Sequence, residues 1–220
     1  MADRMDYDLT KFKNGIKELG LSVTEEQYRQ FLTFYEMLTE KNKVMNLTAI
    51  TEFDEVVEKH FLDSLSLCRV CDLNRGIRVL DLGTGAGFPG IPLKIVFPEM
   101  RLILADSLNK RIIFLREVME ELHLKDVEAV HARAEELAGN RLYREQSYLC
   151  VSRAVANLST LSEYCLPFVK VGGEFISYKS GEVEEEVSQA EHAVALLGGN
   201  VAEVYKFQLN EQSRSFVRIE

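Results

Sequence analysis

Apolar residues recur along the first third of the chain at the spacing of a helix face, and then the period changes. Leu9, Phe12, Ile16 and Leu19 repeat every three or four positions and stop at Gly20. Tyr28, Phe31, Leu32, Tyr35 and Leu38 do the same after Thr24, a residue type that caps helix starts. From Asn42 to Thr51 the period breaks, which reads as an ordered loop, and a third helical stretch follows from Thr51 to Leu67. Beyond Arg78 short apolar runs alternate with helical patterns. Strands are expected at 78–82, 101–105, 127–131, 147–152 and 174–178, and helices near 89–97, 109–122, 134–138, 157–166 and 182–197. Such alternation implies parallel strands joined by right-handed crossovers. Two last strands, 201–209 and 214–219, flank Asn210-Glu211-Gln212-Ser213, which is too short for a helical crossover, so they must form an antiparallel hairpin. The expected architecture is a helical extension over 1–75 followed by an α/β domain over 76–220, its seven-stranded sheet mostly parallel.

Composition narrows the setting. The 220 residues carry a net charge of −9, which argues against a nucleic-acid partner until its distribution is considered. Residues 1–60 hold 8 basic and 12 acidic groups, 61–180 hold 15 of each, and 181–220 hold 3 and 8, so the excess acid lies at the two ends. The start, Met1 to Asp8, is acidic with no apolar signal segment, and no run approaches a membrane span, so a cytoplasmic protein is expected. In a reducing compartment the four thiols Cys68, Cys71, Cys150 and Cys165 are not evidence for disulfides. Cys68-Arg69-Val70-Cys71 has half-zinc-site spacing, but no second pair and no His-x₃₋₅-His accompany it, so a buried helical pair is expected and no metal.

The chemistry concentrates at Val79-Leu80-Asp81-Leu82-Gly83-Thr84-Gly85-Ala86-Gly87-Phe88-Pro89-Gly90. An apolar strand ends at an acid, bends through glycines and enters a helix, which is how an open α/β sheet floors an adenosine-containing ligand. Pro89 suits the first turn of that helix, and the free amides there can take a pyrophosphate or a carboxylate. The glycines alone are ambiguous: Gly83-x-Gly85-x-Gly87 resembles a methyltransferase loop, whereas Gly85-x-Gly87-x-x-Gly90 fits the dinucleotide pattern. The terminal hairpin separates the two. A nicotinamide Rossmann domain repeats its parallel unit, while class I S-adenosylmethionine-dependent methyltransferases close a Rossmann-like parallel sheet with an antiparallel hairpin, and the chain resembles the latter.

Ligands of such sheets bind beyond the carboxyl ends of the strands. The second strand delivers Asp106, about twenty residues after the glycines, where an acid can accept both ribose hydroxyls. The third delivers Arg133-Ala134-Glu135, the fourth Ser152-Arg153 and the fifth Tyr178-Lys179. Arg133, Arg153 and Lys179 thus share one edge, which predicts a basic rim able to hold phosphates on an acidic protein.

Several blocks in one order make the resemblance specific. Asp-Leu-Gly-Thr-Gly-Ala-Gly-Phe-Pro-Gly-Ile-Pro-Leu at 81–93, Asn46-Leu47-Thr48-Ala49-Ile50, His60-Phe61-Leu62-Asp63-Ser64-Leu65, Asp106-Ser107 with Lys110-Arg111, and Ser152-Arg153-Ala154 resemble the ribosomal RNA small subunit methyltransferase G (glucose-inhibited division protein B) family. The resemblance implies methyl transfer from S-adenosylmethionine to N7 of a guanine in 16S ribosomal RNA, near the decoding region, on RNA or the 30S particle. It implies cofactor contacts at Gly83, Phe88, Ala134, Glu135 and Arg153, within a loop that includes Gly85 and Gly87, and Asp106 is added as a strand-end residue. Candidate RNA contacts are Asn46, His60, Arg133 and Lys179.

Guanine N7 carries a lone pair and no proton, so no general base is needed and no obvious catalytic His or Asp is expected; alignment does the work. Phe88 either faces the sulfonium through a cation–π contact or packs the loop. His60 and Asp63, three apart on one helix face, hydrogen-bond each other, contact RNA, or cap and pack; Asn46 orders its loop or reads a base. The methylated base gains positive charge, so nearby carbonyls or a carboxylate would favour the transition state more than a cation would. The N-terminal helices are expected to cover the sheet edge and shape the RNA mouth of a monomer, so deleting residues 1–20 should impair RNA methylation more than cofactor binding. A nicotinamide oxidoreductase and a non-catalytic RNA-binding module are the competing readings.

Overall fold

The computed structural model describes residues 7–153 and 155–220. Positions 1–6 of the expected helical extension, and Ala154 of the Ser-Arg-Ala block, lie outside the described residues. Helix α1 (Thr10–Glu18) buries Phe12 and Ile16, the face its period predicts. Helix α2 (Glu25–Met45) starts at Thr24, whose hydroxyl accepts from Gln27 N while Gln27 caps Thr24 N in return. It runs four residues into the segment expected as loop. The cause is Asn42, which stays helical and uses its side chain to order the next turn of chain: Oδ1 accepts from Leu47 N (2.6 Å) and Thr48 N (2.9 Å), and Nδ2 donates to Thr48 O (2.9 Å). Asn46 ends the helix in the left-handed region at φ +50°, a conformation that asparagine tolerates better than most residues. The third helical stretch is α3 (Phe53–Val56), a π-helical segment Val57–Leu62 and α4 (Asp63–Leu65). π segments inside helices often occur at functional sites.

The sheet follows the predicted alternation: β1 (Arg78–Leu82), α5 (Gly90–Val96), β2 (Arg101–Asp106), α6 (Asn109–Glu121), β3 (Val127–His131), α7 (Ala134–Ala138), β4 (Ser147–Arg153), α8 (Leu158–Cys165), β5 (Val169–Ser180), α9 (Glu184–Leu196), β6 (Val201–Leu209) and β7 (Gln212–Ile219). Its order is β3-β2-β1-β4-β5-β7-β6, with the first five strands parallel and β7 antiparallel to both neighbours. Strand order reverses between β1 and β4, and that switch point is where ligands bind in open sheets.

Alternate side chains of the central strands feed two layers. Val79, Leu102, Leu104 and Val151 join α1, α2, α5, α6 and the π segment, whereas Leu80, Ile103, Cys150 and Phe175 join α7, α8 and α9. The N-terminal helices therefore pack onto a sheet face through α5 and α6, not along the sheet edge as expected. Gln27 and Gln30 fasten this layer by donating to Ile95 O (2.7 Å) and Leu122 O (2.9 Å). Among the described residues no helix is long and apolar enough to cross a membrane. Cys71 is buried and Cys68 half-buried on a 3₁₀ turn (Ser66–Arg69), with burial pushing the Cys71 thiol up to about 12.

A candidate active site with two adjoining cavities

The turn after β1 is held by two aspartates. Asp81 is wholly buried, and its Oδ2 accepts from the Thr84 hydroxyl (2.7 Å) and from Gly90 N (2.8 Å), which folds the loop back onto the start of α5. Burial raises the Asp81 pKa to about 7, against the lowering effect of those two hydrogen bonds. Asp106, at the end of β2, accepts from Gly85 N (2.9 Å) and Leu108 N (2.9 Å) and pairs with Arg111 at 3.1 Å. It lines the cavity expected for a cofactor, and it also clamps the glycine bend. Arg111 was not among the expected contacts; its spacing of five from Asp106 is a helix-reach signal that could have found it.

Only a glycine serves at position 87. Its φ is +101°, and a Cβ would lie 2.7 Å from Ile91 Cγ1 and 2.9 Å from Leu115 Cδ2. Gly83 (φ +71°) meets the Val155 side chain in the same way. Two expectations about the following helix need correction. Pro89 caps α5 from outside instead of opening its first turn, and the start of α5 does not offer free amides to an anion: Gly90 N goes to Asp81 and Ile91 N to Gly87 O (2.8 Å).

A first cavity of about 500 Å³ opens beyond the ends of β1, β2 and β3. Gly83, Asp106, Ala134 and Glu135 line it, together with Leu108 and Tyr164, which the sequence pattern did not single out. Gly85 and Gly87 act behind this wall, through their backbone. Arg133, the residue before α7, also lines the cavity and is exposed.

A second cavity, about 450 Å³, lies at the ends of β4 and β5, walled by the π segment. Arg153 lines it, so the structure places this residue away from the walls of the first cavity. Its guanidinium pairs with Asp63 Oδ2 (2.9 Å), donates to Lys59 O (3.1 Å), and meets His60 Nδ1 at 3.2 Å. Arg214, from β7, takes the other Asp63 oxygen at 2.7 Å. Sequence reasoning missed Arg214, which stands 151 residues from its partner and has no local signal. His60 and Asp63 share no direct bond; Arg153 joins them. Burial, and then the Arg153 charge, lower the His60 pKa to about 4, so the ring is neutral. The neutral ring is held at both nitrogens: Nδ1 faces Arg153 and also Lys59 O (3.1 Å), and Nε2 stands 2.9 Å from Thr48 Oγ1. The separate blocks at 46–50, 60–65 and 152–153 thus converge here.

Phe88 lies under this network. It is 5% exposed, stacked by His60 with ring centroids 4.5 Å apart, and covered by Arg153 at 5.2 Å. The cation over its ring is therefore the chain's own arginine, and packing is its observed role. The expected basic rim is largely neutralised: Lys179 pairs with Glu186 at 2.7 Å and Arg153 with Asp63, while Arg133 shows no ion pair among the described residues. Asn46 is exposed, and the loop-ordering role belongs to Asn42. Among the described residues no group of three or more His, Cys, Asp or Glu is arranged to hold a metal.

Comparisons with known proteins complete the picture. A family model described as rRNA small subunit methyltransferase G matches residues 27–217. Ribosomal RNA small subunit methyltransferase G of Lachnoclostridium phytofermentans is 52% identical over 202 residues, covering 92% of this chain and 84% of that protein. Its namesake in Staphylococcus aureus is 48% identical over 198 residues, covering 90% and 82%. Among solved structures, M. jannaschii TYW2 in complex with AdoMet aligns with a TM-score of 0.59 at 12% identity over 78% of each chain. A SAM dependent methyltransferase from Aquifex aeolicus aligns at 0.55 and 20% identity over 75% of this chain and 92% of that one. These two likenesses establish the fold, that of the S-adenosylmethionine-dependent methyltransferases, as the closing hairpin led us to expect.

Proposed function

The chain belongs to the rRNA small subunit methyltransferase G family, and from that membership we propose that it transfers a methyl group from S-adenosylmethionine to N7 of a guanine in 16S ribosomal RNA, near the decoding region. The observation that carries the reading is the pairing of two cavities at the sheet's switch point, one floored by the glycine bend and one lined by basic side chains. The first fits the donor. Its volume lies within the usual range for small ligands, about 300–1,000 Å³; Gly83 brings backbone to its wall, and Asp106, which accepts from Gly85, Leu108 and Arg111, keeps about one carboxylate lone pair, on Oδ1, for a ribose hydroxyl. Leu108, Val155 and Tyr164 supply apolar walls suited to a purine. When bound, S-adenosylmethionine supplies a methyl group on a sulfonium, which the N7 lone pair takes as the carbon–sulfur bond breaks.

The chain's own contribution is alignment and electrostatics. Neutral His60, stacked on Phe88 and tied to Thr48, makes a rigid wall beside the bend, so the acceptor cavity holds its shape before RNA arrives. Arg153 is tied to both His60 and Asp63, and so couples the two sides of that wall. N7 has no proton to lose, so none of these groups acts as a base. In A-form RNA the N7 edge lies in a groove too deep and narrow for side chains, so the target guanine belongs to a loop or another irregular segment. Arg133 flanks the mouth of the first cavity and suits a phosphate contact, whereas Lys179, at the second, is already held by Glu186. Both cavities form within one chain, which supports a monomeric enzyme, and the cytoplasm is where such RNA is made and assembled in bacteria.

The test is incubation with labelled S-adenosylmethionine and small-subunit RNA from cells lacking this protein, as naked RNA and as 30S particles, with the modified nucleotide mapped by mass spectrometry. A single 7-methylguanosine in one or both substrates is expected. No transfer to either, or binding of NAD in place of S-adenosylhomocysteine by calorimetry, would overturn the reading.

A further inference from the structure

Asp63 is 5% exposed, yet it lines the second cavity with both carboxylate oxygens held by arginines from different strands. The two partners are Arg153 Nη1 at 2.9 Å and Arg214 Nε at 2.7 Å. An ionised carboxylate offers about four lone-pair sites, so one bond to each oxygen leaves each with room to accept another. Of the other polar side chains around the cavity, Lys59, Arg153, Lys179 and Arg214 only donate, Tyr178 gives its hydroxyl proton to Ser64 O, and Ser180 carries a hydroxyl that donates or accepts. His60 spends both ring nitrogens inside the protein, Nδ1 on Arg153 and Lys59 O and Nε2 on Thr48. Asp63 therefore carries the only carboxylate among the described residues lining this cavity.

We propose that Asp63 reads the acceptor base, its carboxylate accepting N1–H and N2–H from the pairing edge of the guanine, with Arg214 as the positioning residue that fixes its plane. This rests on the guanine-methylating reading of the site and deepens it. Of the four bases, guanine alone presents two adjacent donors on that edge. Adenine and cytosine would set a ring-nitrogen lone pair against the carboxylate, and uracil, which offers N3–H, would set a carbonyl oxygen against its second oxygen. Holding the pairing edge leaves N7, on the opposite side of the ring system, free for methyl transfer. Placement of charge supports the same assignment. The base becomes cationic as N7 is alkylated, and a carboxylate hydrogen-bonded to its N1–H and N2–H stabilises that charge more than it stabilises the neutral base. Arg214 enters from the closing hairpin, so β7 supplies a group that the parallel part of the sheet does not. Lys59 and Lys179 add no free charge against the cation, because they pair with Glu55 and Glu186; Arg153 and Arg214 share the one Asp63 charge, so the stabilisation comes from the directly hydrogen-bonded carboxylate and not from the net charge of the cluster.

The experiment compares 16S RNA, assembled by ligation, with guanosine or inosine at the mapped position. Inosine keeps N7, O6 and N1–H and lacks only the N2 amine. With the wild-type enzyme, inosine is expected to lower kcat/KM by about 10- to 100-fold, the usual worth of one hydrogen bond to a charged group. Asp63→Asn should lower guanosine turnover and bring the guanosine-to-inosine ratio toward one, while S-adenosylhomocysteine affinity is retained. Arg214→Lys should lower guanosine kcat/KM and reduce the ratio less than Asp63→Asn does. A merely structural Asp63 would change rate or folding without changing the ratio. Equal wild-type rates on the two RNAs, or a ratio in Asp63→Asn equal to that of wild type, would overturn the assignment. The wild-type comparison stands even if Asp63→Asn, which leaves two guanidiniums without their shared carboxylate, fails to fold. If the wild-type enzyme methylates neither RNA, the methyltransferase reading fails and takes this one with it; activity indifferent to the N2 amine removes this one alone.

Discussion

His60 ties the pH dependence of folding to the candidate site. Burial and the Arg153 guanidinium lower its pKa from 6.5 to about 4, outweighing the Lys59 carbonyl and the Asp63 charge, which act the other way. An unfolded histidine takes up a proton as pH falls through about 6.5, and the folded one does not until about pH 4, so the unfolded state binds more protons between those values. His60 therefore contributes stability that is fully present above the unfolded value and is lost as pH falls toward the folded one. At about 1.4 kcal/mol for each unit of difference, and allowing for the partial exposure of the ring, the loss from about pH 8 to about pH 5 is about 1–2 kcal/mol. Asp81 acts in the opposite sense. Its pKa is raised from 3.8 to about 7, so the folded state binds the extra proton and gains stability as pH falls through that interval. The two effects partly cancel in the wild-type curve and separate in a variant. His60→Gln keeps an amide donor for Thr48 and removes the titration. Urea unfolding of both proteins at about pH 8 and about pH 5 should show wild type losing about 1–2 kcal/mol relative to His60→Gln, a relative midpoint shift on the order of 0.5 M. Parallel pH dependences in the two proteins would refute the reasoning, because the imidazole would then gain its proton as readily in the fold as outside it.

Two further outcomes rest on the packing. Gly87→Ala places a Cβ at φ +101° against Ile91 and Leu115; the strain is about 1–3 kcal/mol, read as a lower Tm together with weaker S-adenosylhomocysteine binding, and an unchanged Tm would contradict it. Deleting residues 1–20 removes Phe12 and Ile16, which are 1% and 3% exposed and share one apolar cluster with the sheet. Losses of about 2–5 kcal/mol for each such side chain are large against a total stability of about 5–15 kcal/mol. The truncated chain should therefore lose cooperative unfolding, cofactor binding and RNA methylation together, instead of RNA methylation first. A truncated protein that melts cooperatively and binds cofactor normally would show that these helices serve the RNA mouth alone.

The alternation of strands and helices, the closing hairpin and the glycine bend were legible because each leaves a local mark: burial on one face repeats every two or every 3.6 residues, and a left-handed backbone selects glycine. The strand-end rule likewise located part of the wall of each cavity, though not Leu108, Tyr164 or Arg214. It read poorly where a residue's task depends on a partner far away. Arg153 and Lys179 were placed on the correct edge but expected as free cations, whereas Asp63 and Glu186 neutralise them. Asp106 doubles as the clamp on Gly85, and Asn42 takes the loop-ordering role considered for Asn46. By itself the sequence determined which side chains point to which layer and which strand ends face the ligand, since those follow from periodicity and chain order. Only the tertiary structure decided which charges meet: Asp63 joins residues 90 and 151 positions away, and no local period records the approach of β4 and β7 to one helix turn.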